Sequence, residues 1–429
     1  MTTSEFFIDK DYGSNYFIGG KITHQWIVEC LDKNDNKFQK YRGNNKIKMI
    51  NGIDISDGKG FISKVFKTDI QFDDEKKEPY SIVIKIPCEN AIKEILLKEN
   101  IDDNLDEDFR NDYIAFIHNR ECFFYSNFAS KIRFLKYPKC FGSKELKIGR
   151  QTGALILQFM GSNSKTVSFF RFLNIYQTKS ILNEIFKLQE YSLLDSNNSW
   201  KGIFKQPFFS SQFKKIEYYI KMGFLNIKSY TSKEMWLDIE KDLDILISNY
   251  VTIAKYVYYQ LPTLKNNLPV ITHGDMWINN FMFEIDSNGD CSNILSAVID
   301  WQTIHEGSIG GDISRILATS VPTDVRKEIE KYYFPDYYKK LKKSLINNGK
   351  EMVISYETFI NNYKTCFIQQ SLMAFITFGF GLKKYNVPND SDYIWDARKY
   401  YLGSKVFHNI YDSIKFCNEL HPEWLEFNE

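Results

Sequence analysis

Paired cysteines, net charge and long apolar runs are all scarce in this sequence. Its seven cysteines, at positions 30, 88, 122, 140, 291, 366 and 417, are scattered, odd in number and never in a CxxC pair. That excludes a disulfide framework or a zinc ribbon, and it predicts reduced, mostly buried thiols in a reducing compartment. Lys and Arg number 55 against 54 Asp and Glu, a net charge of +1. Such balance supplies no long-range field to gather nucleic acid or an anionic membrane, so neither is expected as a partner. The first residues, MTTSEFFIDK, show no basic stretch followed by an apolar run, so no secretory signal is expected. The most apolar long stretch, Cys366 to Leu382, carries Gln369 and Gln370 in its first turns and reads as a buried helix rather than a membrane span. The cytoplasm is the expected location, and no residue pattern fixes an oligomeric state.

Apolar material is abundant. Hydrophobic residues make up 43% of the 429 positions and aromatic residues 16%, enough for two packed lobes. The local pattern changes near residue 160, which predicts an N-terminal nucleotide-binding lobe over 1–160 and a C-terminal catalytic and substrate-binding lobe over 161–429. Before the change, strands are expected at Ile62 to Phe72 and Tyr80 to Pro87, joined as an antiparallel hairpin. Two more are expected at Arg133 to Phe141 and Thr152 to Met160, with a helix over Asn111 to Phe128. After it, helices dominate: Thr231 and Glu234 suggest a capping box opening a run to Tyr258, and Tyr356 to Phe380 suggests a long helix. The fold class is therefore α+β, an antiparallel sheet lobe with helices beside a larger, mainly helical lobe.

One β-like island, Ile271 to Gln302, interrupts the helical part. Phe281 to Ile285 and Ile294 to Ile299 read as strands around the turn Asp286 to Asp290, where Asn288–Gly289 favours a hairpin. A hairpin sets the start of its first strand beside the end of its second, so Asn280 and Asp300 are expected to meet. Neighbouring strands lie about 5 Å apart, which brings both side-chain oxygens within reach of one small cation. An amide oxygen and a carboxylate suit Mg²⁺, which takes its other ligands from water and substrate phosphates. Asp275 precedes Asn280 by five residues, where a carboxylate serves to accept or orient the proton of an attacking hydroxyl. His273 belongs to the same catalytic segment and is expected to tie the loop through its ring nitrogens. The pattern H-x-D-x₄-N occurs once. A zinc site on His273 and Asp275 lacks further His or Cys at ligand spacing.

Nucleotide handling is expected upstream. Within Tyr80 to Pro87, Lys85 stands between isoleucines and needs a partner or an exit to water. Read functionally, it grips ATP phosphates and pairs with a glutamate, Glu121 first, Glu89 and Glu94 behind it. Gly58, Gly60 and Ser63 form a turn whose backbone amides are candidates to cover phosphates.

HGDMWINN at His273–Asn280 and DWQ at Asp300–Gln302 resemble the CHK-kinase-like, or ecdysteroid-kinase-like, proteins, a branch of the aminoglycoside phosphotransferase and choline kinase superfamily. The resemblance also takes in Gly58–Ser63, Lys85, Glu121, Phe124–Tyr125 and Asp312. It implies a protein-kinase-like two-lobed fold with ATP and Mg²⁺ as cofactors and a small-molecule hydroxyl as acceptor: a steroid, another lipophilic alcohol or a glycoside. By position it implies Lys85 on phosphate with Glu121, Asp275 as base, Asn280 and Asp300 on Mg²⁺, and Asp312 as a structural brace. Trp-Gln after Asp300 departs from a protein-kinase DFG. Two alternatives stand beside this reading. One is a choline or ethanolamine kinase, with Tyr393, Trp395, Tyr400 and Tyr401 as cage candidates. The other is an inactive pseudokinase acting as a binding module.

Overall fold

The computed structural model of the chain describes residues 16–17, 22–56, 62–88, 107–206, 210–265, 267–384 and 391–427. The chain divides into two compact units, one drawn from Met1–Arg133 and Tyr137–Asn163, the other from Phe134–Lys136 and Ser164–Glu429. All the strand pairs among the described residues are antiparallel. No described helix is long and apolar enough to cross a membrane.

The first unit opens with a two-residue pair, β1 (Tyr16–Phe17) and β2 (Ile22–Thr23), and then helices α1 (His24–Asn34) and α2 (Asn36–Arg42). Thr23 caps α1 by accepting from the Trp26 amide, and Asp35 caps α2 by accepting from Lys37. Its main sheet has the order β3-β4-β5-β7-β6, from Ile47–Asp54, Ser63–Phe72, Tyr80–Pro87, Ala154–Gln158 and Cys140–Lys144 respectively. On β5 the alternation is physical: Ile82 and Ile84 are fully buried and pack with Phe66, Ile70 and Ile156 against Ile27, Leu31 and Phe38 of α1 and α2. Lys85 belongs to the other face and meets α3 (Glu107–Phe123).

Helices build most of the second unit: α4 (Ile175–Leu194), α5 (Phe213–Tyr230), α6 (Glu240–Ser248), α7 (Tyr250–Lys255), α8 (Gly311–Thr319), α9 (Thr323–Glu328), α10 (Phe334–Asn347), α11 (Tyr356–Lys384) and α12 (Asp392–Leu420). Where α5 crosses α11, Gly379 approaches Gly223 so closely that a Cβ on it would lie 2.7 Å from the Gly223 Cα. Three strands form a sheet of order β11-β10-β8, from Cys291–Val298, Phe281–Ile285 and Ser164–Thr166, and β9 (Val270–Thr272) pairs with β12 (His305–Gly307).

Two local expectations are corrected. Thr231 does not open a helix: it closes α5, its hydroxyl donating to the Ile227 carbonyl and accepting from the Trp236 indole, and Lys233–Trp236 is a single 3₁₀ turn. The competing partner won because a threonine hydroxyl satisfies a helix C-terminal carbonyl as readily as it caps an N-terminus. Arg133 to Phe141 is not one strand either; the ladder begins at Cys140, and Ile132 ends a short 3₁₀ turn before it.

Candidate active site

In the first unit, Lys85 lies in the middle of the sheet, opposite Val65 of β4 and Leu155 of β7. Its Nζ donates to the Glu121 Oε2 at 2.6 Å, and the side chains are only 10% and 1% exposed. Neither charge survives burial alone, so each fixes the other. Ser63 begins β4, buried and opposite Pro87. Gly58 and Gly60, with Glu89 and Glu94, lie outside the described residues. Gln158 ends β7, its side-chain oxygen accepting from the Lys139 amide at 3.4 Å.

In the second unit the loop after β9 turns on Gly274. Its φ is +85°, and a Cβ added there would lie 2.5 Å from the Thr303 carbonyl oxygen, so only glycine fits. Asp312, in the first turn of α8, braces that turn. Its two carboxylate oxygens accept from the backbone amides of His273 at 2.8 Å and Gly274 at 2.9 Å. Burial pushes the Asp312 carboxyl above the usual carboxylate range, while hydrogen bonds from the two amides pull it back down. His273 is buried with both ring nitrogens engaged. Nε2 lies 3.1 Å from the Ile299 carbonyl and must donate to it, and Nδ1 accepts from the Asp275 amide at 3.2 Å. That assigns the neutral Nε2–H tautomer, and the ring stands edge-on to Trp301 with centroids 4.7 Å apart. The Thr303 hydroxyl donates to the His273 carbonyl at 3.0 Å.

Asp275 and Asn280 touch. The Asn280 Nδ2 donates to the Asp275 backbone oxygen at 2.9 Å and to its Oδ2 at 3.2 Å. The hairpin brings Asp300 alongside: Phe281 pairs with Val298, and the Ile299 amide donates to the Asn280 carbonyl at 3.0 Å. Asp300 then adopts φ 69° and ψ 58°, a left-handed conformation uncommon outside glycine and most tolerated by Asn and Asp. Gln302 donates to its Oδ2 at 3.2 Å. The Asn280 amide nitrogen is committed to Asp275, which leaves its side-chain oxygen as the atom that could join a carboxylate in holding a hard cation such as Mg²⁺. Among the described residues no cluster of three or more His, Cys, Asp or Glu suits a metal ion. A cation here would need phosphate and water oxygens to complete its shell.

Sequence reasoning missed Arg315. Its Nη2 donates to the Asp275 Oδ1 at 3.0 Å, and its Nη1 lies 3.4 Å from the Gln370 Oε1. Arg315 follows Asp312 by three residues, so both lie on one face of α8, but no motif in the sequence marks it.

These features define a class, an α+β chain whose antiparallel sheet buries a Lys–Glu pair and whose helical unit holds an Asp–Asn loop against a β-hairpin. The chain belongs to the family described as "Uncharacterized oxidoreductase dhs-27" (DUF1679), whose model matches residues 41–399. It is 25% identical over 370 residues to the "Uncharacterized oxidoreductase dhs-27" of Caenorhabditis elegans, a match covering 82% of this chain and 41% of that protein. The chain thus spans about two fifths of that relative's length. Among solved structures it is similar to a choline kinase from Cryptosporidium parvum Iowa II, with 12% identity, 94% of this chain and 97% of that one covered, and a TM-score of 0.44. It is also similar to the GDP complex of wild-type aminoglycoside 2′-phosphotransferase-IIIa, with 10% identity, coverage of 90% and 98%, and a TM-score of 0.40.

Proposed function

We propose that this chain is an ATP- and Mg²⁺-dependent phosphotransferase acting on a hydroxyl of a small molecule, of the CHK-kinase-like kind. The observation that carries the reading is the single loop and hairpin that put Asp275 against Asn280 and Asp300 beside Asn280. Phosphoryl transfer asks of a protein mainly positioning and charge stabilisation, and this arrangement provides for both. Asp275 accepts or orients the proton of the acceptor hydroxyl. Asn280 and Asp300 hold the cation, which when bound neutralises phosphate charge. Lys85, oriented by Glu121, grips phosphate, and Asp312 and His273 keep the loop in shape.

The choline reading has less support. The Arg398 guanidinium lies over the Phe170 ring at 4.9 Å and over Trp395 at 5.1 Å, so a protein cation already covers those rings. Tyr393 is 74% exposed. An oxidoreductase reading taken from the relative's name also lacks support within this chain, because a doubly wound dinucleotide fold needs parallel strands and every described pair is antiparallel.

The test is transfer of labelled phosphate from ATP to hydroxyl compounds of a metabolite extract, with the product identified by mass. Asp275→Asn should cut transfer on the order of a thousandfold while nucleotide still binds. Asp300→Asn should raise the Mg²⁺ concentration needed for ATP binding. Retained turnover in the first variant removes the base assignment, and an unchanged Mg²⁺ requirement in the second removes Asp300 from the cation site.

A further inference from the structure

We infer that Arg315 is a positioning residue for this reaction, fixing the Asp275 carboxylate in the orientation that meets the acceptor hydroxyl. The inference rests on the phosphotransferase reading above. Asp275 is gripped through both oxygens, Oδ1 by Arg315 and Oδ2 by Asn280, so turning its side chain breaks both hydrogen bonds at once. Each oxygen still keeps a lone pair for an incoming hydroxyl. The helix α8 therefore holds the loop twice: Asp312 grips the backbone of residues 273 and 274, and Arg315, one turn later, grips the carboxylate.

Arg315 is itself oriented from the far side. Gln370 of α11 faces its Nη1, the Gln370 amide donates to the Gln369 Oε1 at 2.7 Å, and Gln369 donates to the Tyr250 hydroxyl at 3.2 Å. Two adjacent buried glutamines are costly unless their amides are spent on partners. Here they are spent on a chain of contacts that ends at Asp275. A guanidinium serves both ends because its two Nη groups diverge in a fixed plane, which an ammonium cannot reproduce. The Arg315 and Asp275 side chains remain 12% and 23% exposed. Removing a largely buried arginine also costs stability, so the melting temperature of each variant is read beside its turnover.

The experiment uses the full chain and measures Mg²⁺-dependent ATP hydrolysis, which needs no known acceptor. Arg315→Ala should lower kcat about tenfold to hundredfold, the loss expected for a hydrogen bond to a charged group. The KM for ATP should stay within about twofold, since the nucleotide is held elsewhere. Added methylguanidine should restore part of the rate, Arg315→Lys should be intermediate, and Gln370→Leu should cost about threefold. An Arg315→Ala variant with wild-type kcat overturns the assignment. So does one whose loss follows a fall in melting temperature and ignores methylguanidine, which is what a merely structural arginine would give. If Asp275→Asn is inactive while Arg315→Ala is unimpaired, only the Arg315 assignment falls. If Asp275→Asn hydrolyses ATP like the wild type, or the wild type hydrolyses none, the phosphotransferase reading falls and Arg315 with it.

Discussion

The Lys85–Glu121 pair and the Asp275 loop hold their carboxylates by opposite means. Glu121 is sealed beneath a sheet and answered by a lysine 36 positions away in sequence, at 2.6 Å. Asp275 is partly open and held by several contacts: Asn280 five positions on, its own amide on His273, and Arg315 40 positions away. In the first arrangement the charge and the core depend on each other, so losing either partner costs stability. In the second, the scaffold lies in Asp312, Thr303 and Gly274, and the carboxylate itself carries little of the fold. On the proposed reading, a carboxylate that is to meet a substrate sits on a loop braced mainly through its backbone.

The largest test of that contrast is Lys85→Met. It strands Glu121 without its lysine and should cost the first unit about 3–5 kcal/mol. Amide hydrogen exchange across residues 63–87 should accelerate accordingly, while the loop at 273–280 should not. Lys85→Met with Glu121→Leu should recover much of the loss, since an apolar replacement of a buried pair is often neutral. Unchanged exchange in Lys85→Met would erase the distinction between the regions. Next in size is Asp312→Asn, which offers one acceptor where the carboxylate offered two and should cost about 2–3 kcal/mol, read as exchange at His273 and Gly274. Its pH behaviour has a definite sign. The folded Asp312 carboxyl binds its proton more tightly than the unfolded one, because burial penalises the charge. Its stabilising contribution is therefore full in acid and is lost as pH rises through the folded value. Asp312→Asn should lack that slope, and an identical slope in both proteins would show that burial does not govern the group.

Much of this was legible in the sequence wherever the signal was local. The period-two pattern of Tyr80–Pro87 and of Phe281–Ile285 gives the observed strands, and Asn288–Gly289 gives the observed turn. Lys85 was conspicuous because a lone cation among isoleucines needs a partner. Illegible features depend on distant pairing. The three-residue strand Ser164–Thr166 exists because Phe283 of β10 pairs with Lys165, and β9 exists because β12 returns to it. Thr231 misled because its hydroxyl suits either end of a helix, and the choice is settled by Trp236 and Ile227. Arg315 carries no motif of its own; only the fold brings α8 under the loop.

The smallest expected effect lies in acid and separates the two regions by sign. His118 stands one turn before Glu121 on α3, and its Nε2 donates to the Lys144 carbonyl at 3.0 Å. Burial lowers its pKa to about 4, with the nearby Lys85 charge adding to the shift. The unfolded chain takes up a proton at this histidine from about pH 6.5 downward, whereas the folded chain resists until about pH 4. The neutral ring's contribution is therefore present above pH 6.5 and lost as pH falls, by about 2 kcal/mol at pH 5. Acid works against the first unit at His118 and relieves the second at Asp312. His118→Gln keeps an amide donor for Lys144 without the titration. In urea unfolding followed by exchange in residues 111–128, the wild type should lose stability relative to His118→Gln between pH 6.5 and 4. Parallel curves for the two proteins would mean that the buried imidazole is not the group that makes the sheet unit sensitive to acid.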